Sequence, residues 1–180
     1  MKNKKLWQGP KITAFSIALL GILTALRLVV SRIGSIRLTR DIHVSLTFIV
    51  TVIIAYYFGP LWTAVFNGIM NLLIFFIFPT GDPFFIGYTL SAIIGGFIYG
   101  LFLYPYQLSW IRTTIAVVLV TLIVNLFLNA LWATMLYQVP FWISISSRLI
   151  KELIQLVPQI VISYLTLQIV SKLKIESKLN

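Results

Sequence analysis

Residues 12–30 read ITAFSIALLGILTALRLVV, a continuous apolar run that contains a single arginine, Arg27. A helix needs about 20 such residues to cross a membrane. A charge inside a bilayer costs enough free energy that we expect Arg27 to serve a function and to have a partner. Of the 180 residues, 59% are hydrophobic and 10% are charged. Because a soluble domain needs a polar exterior, we predict an integral membrane protein.

The composition excludes several classes of protein. With no cysteine, one histidine and four acidic residues, we expect no disulfide, no metal site, no cofactor and no catalytic residues. The net charge of +10 would suggest nucleic acid on a soluble protein. Here the apolar runs leave no soluble basic surface, so we expect no nucleic-acid partner. The first run is also too long for a signal-peptide core, and we expect a retained first helix.

Helix-breaking residues divide the apolar sequence into six predicted transmembrane helices. We therefore predict an all-α fold in a single domain, 1–180. The breaks fall at Gly34-Ser35, Gly59-Pro60, PTGDP at 79–83, Tyr104-Pro105 and Val139-Pro140. The predicted helices are 12–33, 43–58, 60–78, 84–105, 111–137 and 140–172. An even number of spans places both termini on one side. Lysines and arginines are more numerous on that side, which predicts that both termini are cytoplasmic.

Polar residues from four predicted helices fall at about the same depth when 1.5 Å is counted per residue. They are Arg27, Asn71, Asn129, Arg148 and Lys151. Too few acidic side chains exist to neutralise this layer, so we predict a cavity that binds an anion. The planar fork of arginine suits carboxylates. Trp132, on the same helix face as Asn129, offers a flat surface for an aromatic ring. The alternative is that each residue bonds a neighbouring helix or reaches the interface.

The first helix carries a second pattern, a stripe of small residues opposite Arg27. Ala14, Ala18, Gly21 and Ala25 recur at spacings of four, three and four. Such a stripe lets another helix approach closely, either from a partner or from within the bundle. The chain has no phosphate-binding loop of the Gly-x-x-x-x-Gly-Lys type. If the protein transports its ligand, another subunit must therefore supply the energy.

Several segments resemble a known family. FPTGDPFFIGYTLSA at 78–92 and GFIYG at 96–100 resemble the third loop and fourth helix of the folate-specific substrate-binding (S) subunits of energy-coupling factor (ECF) transporters. NLFLNALW at 125–132 and RLIK at 148–151 resemble their fifth and sixth helices, and Ala14-x-x-x-Ala18 is similar to their docking motif. The resemblance implies a multi-pass protein of the bacterial cell membrane that binds folate outside. It implies delivery through the coupling protein EcfT and the ATPases EcfA and EcfA′.

These observations give three groups of predicted functional residues. Substrate-binding residues are Arg27, Asn71, Tyr88, Asn129, Trp132, Arg148 and Lys151. Outer gating loops contain Arg37, Arg40, His43, Asp82 and Phe84. Partner docking uses Ala14, Ala18, Gly21 and Ala25. Two alternatives stay open: the same architecture with thiamine, riboflavin or pantothenate as ligand, and a small membrane enzyme that acts on lipid phosphates.

Overall fold

A computed structural model of the chain describes residues 10, 13–33, 35–37, 43–79, 83–105, 108–173 and 175. Within these residues, five helical stretches are long and apolar enough to cross a membrane. They are α1 (Ala14–Ile33), α2 (Thr47–Ile77), α3 (Ile86–Leu103), a composite helix from Trp110 to Tyr137, and α6 (Phe141–Lys172). The composite helix consists of α4 (Trp110–Leu119), a π-helical segment (Val120–Leu128) and α5 (Asn129–Tyr137).

Helix α2 is a helical hairpin rather than a straight rod. Its backbone is non-helical at Gly59, with φ 81° and ψ −176°, a conformation that glycine adopts easily because it lacks a Cβ. The Thr51 hydroxyl lies 3.3 Å from Asn67 Oδ1. In a straight helix these two residues would be about 24 Å apart. The two arms therefore fold back on each other, and the break predicted at Gly59-Pro60 is confirmed.

Helix α3 packs directly on the hairpin through a backbone contact. A Cβ added to Gly100 would lie 2.3 Å from the Cα of Pro60, so only glycine permits this approach. The hairpin contributes many of the fully buried side chains of the core, among them Val50, Ile54 and Phe58. This arrangement holds the second arm of α2 beside α3, so that the end of α2 lies next to the start of α3.

Two local structures differ from the predicted all-α fold. Strands β1 (Ser35–Arg37) and β2 (His43–Ser45) form an antiparallel pair in which Ser35 is opposite Ser45. The prediction of a helix beginning at residue 43 is therefore wrong, because α2 begins at Thr47. Pairing the two strands satisfies backbone groups that a loop would leave without partners. The π-helical segment was not predicted either, because no breaker residue marks it.

Helix α1 is attached to the bundle along one face only. It packs on α2, where Leu23 is buried in a cluster with Val50 and Ile54. The four residues of the small-residue stripe are all exposed: Ala14, Ala18, Gly21 and Ala25. The stripe therefore does not pack against the described part of the bundle.

Candidate functional site

A cavity of about 270 Å³ opens where the end of α2, the start of α3 and the end of α5 meet. Its described lining is mostly aromatic, with Phe75, Phe78, Phe84, Phe85, Tyr88 and Tyr137. The amide of Asn71 adds a polar group, and the described lining contains no charged side chain. Such a cavity suits a flat ring that needs few directed hydrogen bonds.

The polar edge of the cavity is held in place by α3. The hydroxyl of Thr89 donates a 3.0 Å hydrogen bond to Asn71 Oδ1, which fixes the amide against the first turns of α3. Tyr88, the preceding residue, lines the cavity and packs edge-on against Phe85 at a centroid distance of 6.2 Å. Of the predicted substrate-binding residues, the structure thus places Asn71 and Tyr88 in the described lining.

Trp132 lies behind this lining. Its indole Nε1 donates a 2.9 Å hydrogen bond to the Ser91 hydroxyl, and its ring is 5.7 Å from that of Phe85. Gly87 leaves the space that the indole occupies, since a Cβ at Gly87 would lie 2.5 Å from the indole ring. Trp132 therefore contacts the cavity wall through Phe85 and connects α5 to α3.

Arg27 is bonded to the hairpin. Its Nη1 donates to Asn67 Oδ1 at 3.0 Å, to the Thr47 carbonyl at 3.4 Å and to the Thr51 hydroxyl. None of these three partners belongs to the described lining of the cavity. Its Nε is buried without an acceptor. One guanidinium group thus joins α1 to both arms of α2.

The remaining predicted binding residues lie on the composite helix and on α6. Arg148 and Lys151 are partly buried, and neither is in the cavity's described lining. The side chain of Asn129 is partly buried, and its Oδ1 is buried without a hydrogen-bond donor. The structure places Asn71 and Tyr88 in the cavity wall and Trp132 behind it. Asn129, Arg148 and Lys151 lie outside the described cavity wall.

The predicted gating residues have mixed outcomes. Phe84 lines the cavity and packs on Phe75 at 5.2 Å and on Phe76 at 6.0 Å. Arg37 and His43 are opposite each other in the strand pair, where only the backbone is described. Arg40 and Asp82 lie outside the described residues.

Four aromatic wall residues were not among the predicted site residues: Phe75, Phe78, Phe85 and Tyr137. In an apolar sequence such residues look like any other membrane-facing side chain. All four share one signal: each lies within three residues of a predicted helix end, where ligand pockets between helices open. Aromatic residues clustered at several helix ends could therefore have indicated the cavity.

The chain belongs to the family of substrate-specific components of ECF transporters, whose family model matches residues 15–170. It is therefore a substrate-binding component of a transporter and not an enzyme, and a multi-pass protein of the cell membrane.

Similar proteins include two named as the folate transporter FolT. That of Leuconostoc mesenteroides is 36% identical over 169 residues, which cover 89% of this chain and 89% of that protein. That of Clostridium novyi is 32% identical over 159 residues and covers 88% of this chain and 91% of its own. The likeness to folate-specific S subunits that the sequence indicated is confirmed.

Two solved structures are similar to this fold. The crystal structure of FolT bound with folic acid aligns with a TM-score of 0.76 at 34% identity, covering 84% of this chain and 92% of that one. The S-component for biotin from an ECF-type transporter aligns with a TM-score of 0.63 at 19% identity, covering 91% and 95%. At that identity the second match supports the fold alone.

Proposed function

We propose that this protein is the folate-binding S subunit of an ECF importer. The observation that carries the proposal is the aromatic cavity with one amide at its edge, which suits the flat pterin and benzoyl rings of folate. The similarity to FolT proteins, one of them solved with folic acid, supports the same ligand. Thiamine, riboflavin and pantothenate are the alternative ligands.

The proposed binding residues divide by chemistry. Asn71 and Tyr88 contact the rings in the cavity, and Trp132 supports the cavity wall. The cationic side chains of Arg148 and Lys151 would pair with anionic or polar groups of the ligand. Asn129 supplies a further polar contact. Arg27 acts on the site through the hairpin arm that carries Asn67 and Asn71.

We propose that the exposed stripe on α1 docks on the transmembrane coupling protein EcfT. The four stripe residues have no large side chain, and a Cβ on Gly21 would meet nothing within 4 Å. A helix of the partner can therefore approach the α1 backbone closely. ATP hydrolysis would occur on the ATPases EcfA and EcfA′.

The membrane topology is a further part of the proposal: one domain with six spans and both termini in the cytoplasm. The arms of α2 would count as two spans. The first arm, about 18 Å long, is shorter than the hydrocarbon core, whereas the second, about 27 Å long, nearly matches it. The cavity then faces the outside. Because the chain has no cysteine, labelling of single introduced cysteines can test on which side of the membrane each connection lies. Gln138→Cys should react with an impermeant reagent on intact cells, and Lys172→Cys should not.

Binding to the purified protein tests the ligand assignment. Isothermal titration with folic acid should give a saturable signal, and excess thiamine, riboflavin or pantothenate should not compete. If one of these vitamins binds while folic acid does not, the same architecture serves another ligand. Mass spectrometry of ligand that co-purifies with the protein gives an independent answer.

A further inference from the structure

Glu152 is the only acidic side chain among the described residues. It lies in α6, partly buried, and its Oε2 accepts a 2.9 Å hydrogen bond from the side-chain nitrogen of Asn125. Neither Lys151 beside it nor Arg148 one turn away forms a hydrogen bond with it in the described part of the chain. A carboxylate within a membrane helix is costly unless donors surround it. One amide donor leaves most of its hydrogen-bonding capacity unused.

Two buried amide oxygens without a donor lie on the same two helices as Glu152 and Asn125. Gln159, only 5% exposed, donates from Nε2 to the Tyr99 hydroxyl at 3.0 Å, while its Oε1 is buried without a donor. Glu152 and Gln159 share one face of α6 because they are seven residues, about two turns, apart. On the composite helix, Asn129 Oδ1 is also buried without a donor. We call Asn129, Glu152 and Gln159 the acceptor cluster.

The described part of the aromatic cavity offers little room and few partners for a whole folate molecule. Its volume of about 270 Å³ is at the lower limit of ligand pockets, which usually measure about 300–1,000 Å³. Its described lining offers few polar groups. Trp132, which contacts the cavity wall through Phe85, is one helical turn from Asn129 on the same face of α5. Trp132 and Asn129 thus connect the cavity wall to the acceptor cluster along one face of α5, and an elongated ligand would extend from one to the other.

We propose that Glu152 is a specificity-determining residue that recognises the hydrogen-bond donor edge of the pterin ring. This inference rests on the proposed folate function. The 2-amino-4-oxopyrimidine part of the pterin presents its ring N3–H and its 2-amino group side by side. A carboxylate accepts such a parallel pair of N–H bonds in the way that it accepts the fork of arginine. Asn125 holds the carboxylate in position through its 2.9 Å hydrogen bond.

The wild-type protein gives the first test. Its affinity for folic acid should exceed its affinity for 2-desamino-2-methylfolic acid by at least about tenfold, because a buried acceptor rejects a ligand that lacks the matching donor. The measurement is isothermal titration with both compounds. Equal affinities would overturn the proposal without any variant. Binding of neither compound would overturn the proposed function and this assignment with it.

The Glu152→Gln variant gives the second test. It is almost isosteric and keeps an oxygen for Asn125, but its NH₂ group opposes the pterin donors. Folic acid should bind at least about tenfold more weakly, while the 2-methyl analogue should change little, so that the preference largely disappears. If the variant keeps the preference for folic acid over the 2-methyl analogue, Glu152 serves helix packing only. The same conclusion follows if both ligands lose affinity equally and the unfolding temperature falls. Glu176→Gln, the same change after the end of α6, is the matched control.

Discussion

The indole nitrogen of Trp132 donates a 2.9 Å hydrogen bond to the hydroxyl of Ser91, and this bond joins α5 to α3 beside the aromatic cavity. The indole ring also packs on Phe85, which lines the cavity. Both contacts hold the ring in one position. The wall against which we propose that the ligand packs is thus fixed before a ligand arrives, and less entropy is lost on binding.

Changing Trp132 to Phe should weaken folic acid binding about fivefold. The substitution keeps an aromatic ring but removes the hydrogen bond to Ser91, for which the loss is about 1 kcal/mol. Isothermal titration measures the affinity. Trp142→Phe is the matched control because Trp142 is 77% exposed. If both variants bind like the wild type, the Trp132–Ser91 bond does not position the cavity wall.

Changing Arg148 to Ala should weaken folic acid binding at least about tenfold, the effect of one lost charge-assisted hydrogen bond. Arg112→Ala, an exposed arginine in α4, serves as control. Unchanged affinity for folic acid would remove Arg148 from the proposed binding residues.

Changing Arg27 to Met should lower the free energy of unfolding by about 1–3 kcal/mol, because Thr51 and Asn67 lose a charged donor. Thermal unfolding in detergent, followed by tryptophan fluorescence, measures the change. Arg27→Lys keeps the charge and should recover part of the stability. A loss of folic acid affinity with unchanged unfolding would instead indicate that Arg27 binds the ligand directly.

Changing Ala18 to Trp should abolish folate uptake by cells and leave folic acid binding to the purified protein intact. The bulky ring would keep a partner helix away from the exposed stripe, which is remote from the cavity wall. Leu26→Trp tests the specificity, since Leu26 is 41% exposed and lies about 110° around α1 from the centre of the stripe. Equal loss of uptake in both variants would contradict docking through the stripe.

Changing Gly100 to Ala should destabilise the fold by about 1–3 kcal/mol, as expected for overpacking. The new Cβ would lie 2.3 Å from backbone atoms of Pro60, which cannot rotate away. The control on the same helix is Gly95→Ala, whose Cβ would make ordinary contacts of 3.8 Å or more. Unfolding temperatures of the two variants should differ by several degrees, and identical values would argue against a close backbone contact.

The sequence predicted the helices well because apolar runs and breaker residues depend on local chemistry. Gly59-Pro60 marked the turn of the α2 hairpin, and Val139-Pro140 marked the boundary before α6, which begins at Phe141. The strand pair before α2 was missed, since His43–Ser45 continues into an apolar run that resembles the start of a helix.

The site was harder to predict because depth along a helix does not give direction around a bundle. Asn71 and Arg27 were placed in one layer, yet Asn71 lines the cavity and Arg27 bonds the hairpin. Orientation depends on packing between helices, such as the contact of Gly100 with Pro60. The π-helical segment changes the turn of the composite helix before Asn129, and no single residue type encodes it.

At the contact between Gly100 and Pro60, no side chain separates α3 from the hairpin. Helix α3 and the α2 hairpin should therefore move as one rigid unit that carries Asn71 and Tyr88 together. A ligand would therefore meet Asn71 and Tyr88 at one fixed spacing, which suits a rigid planar ring.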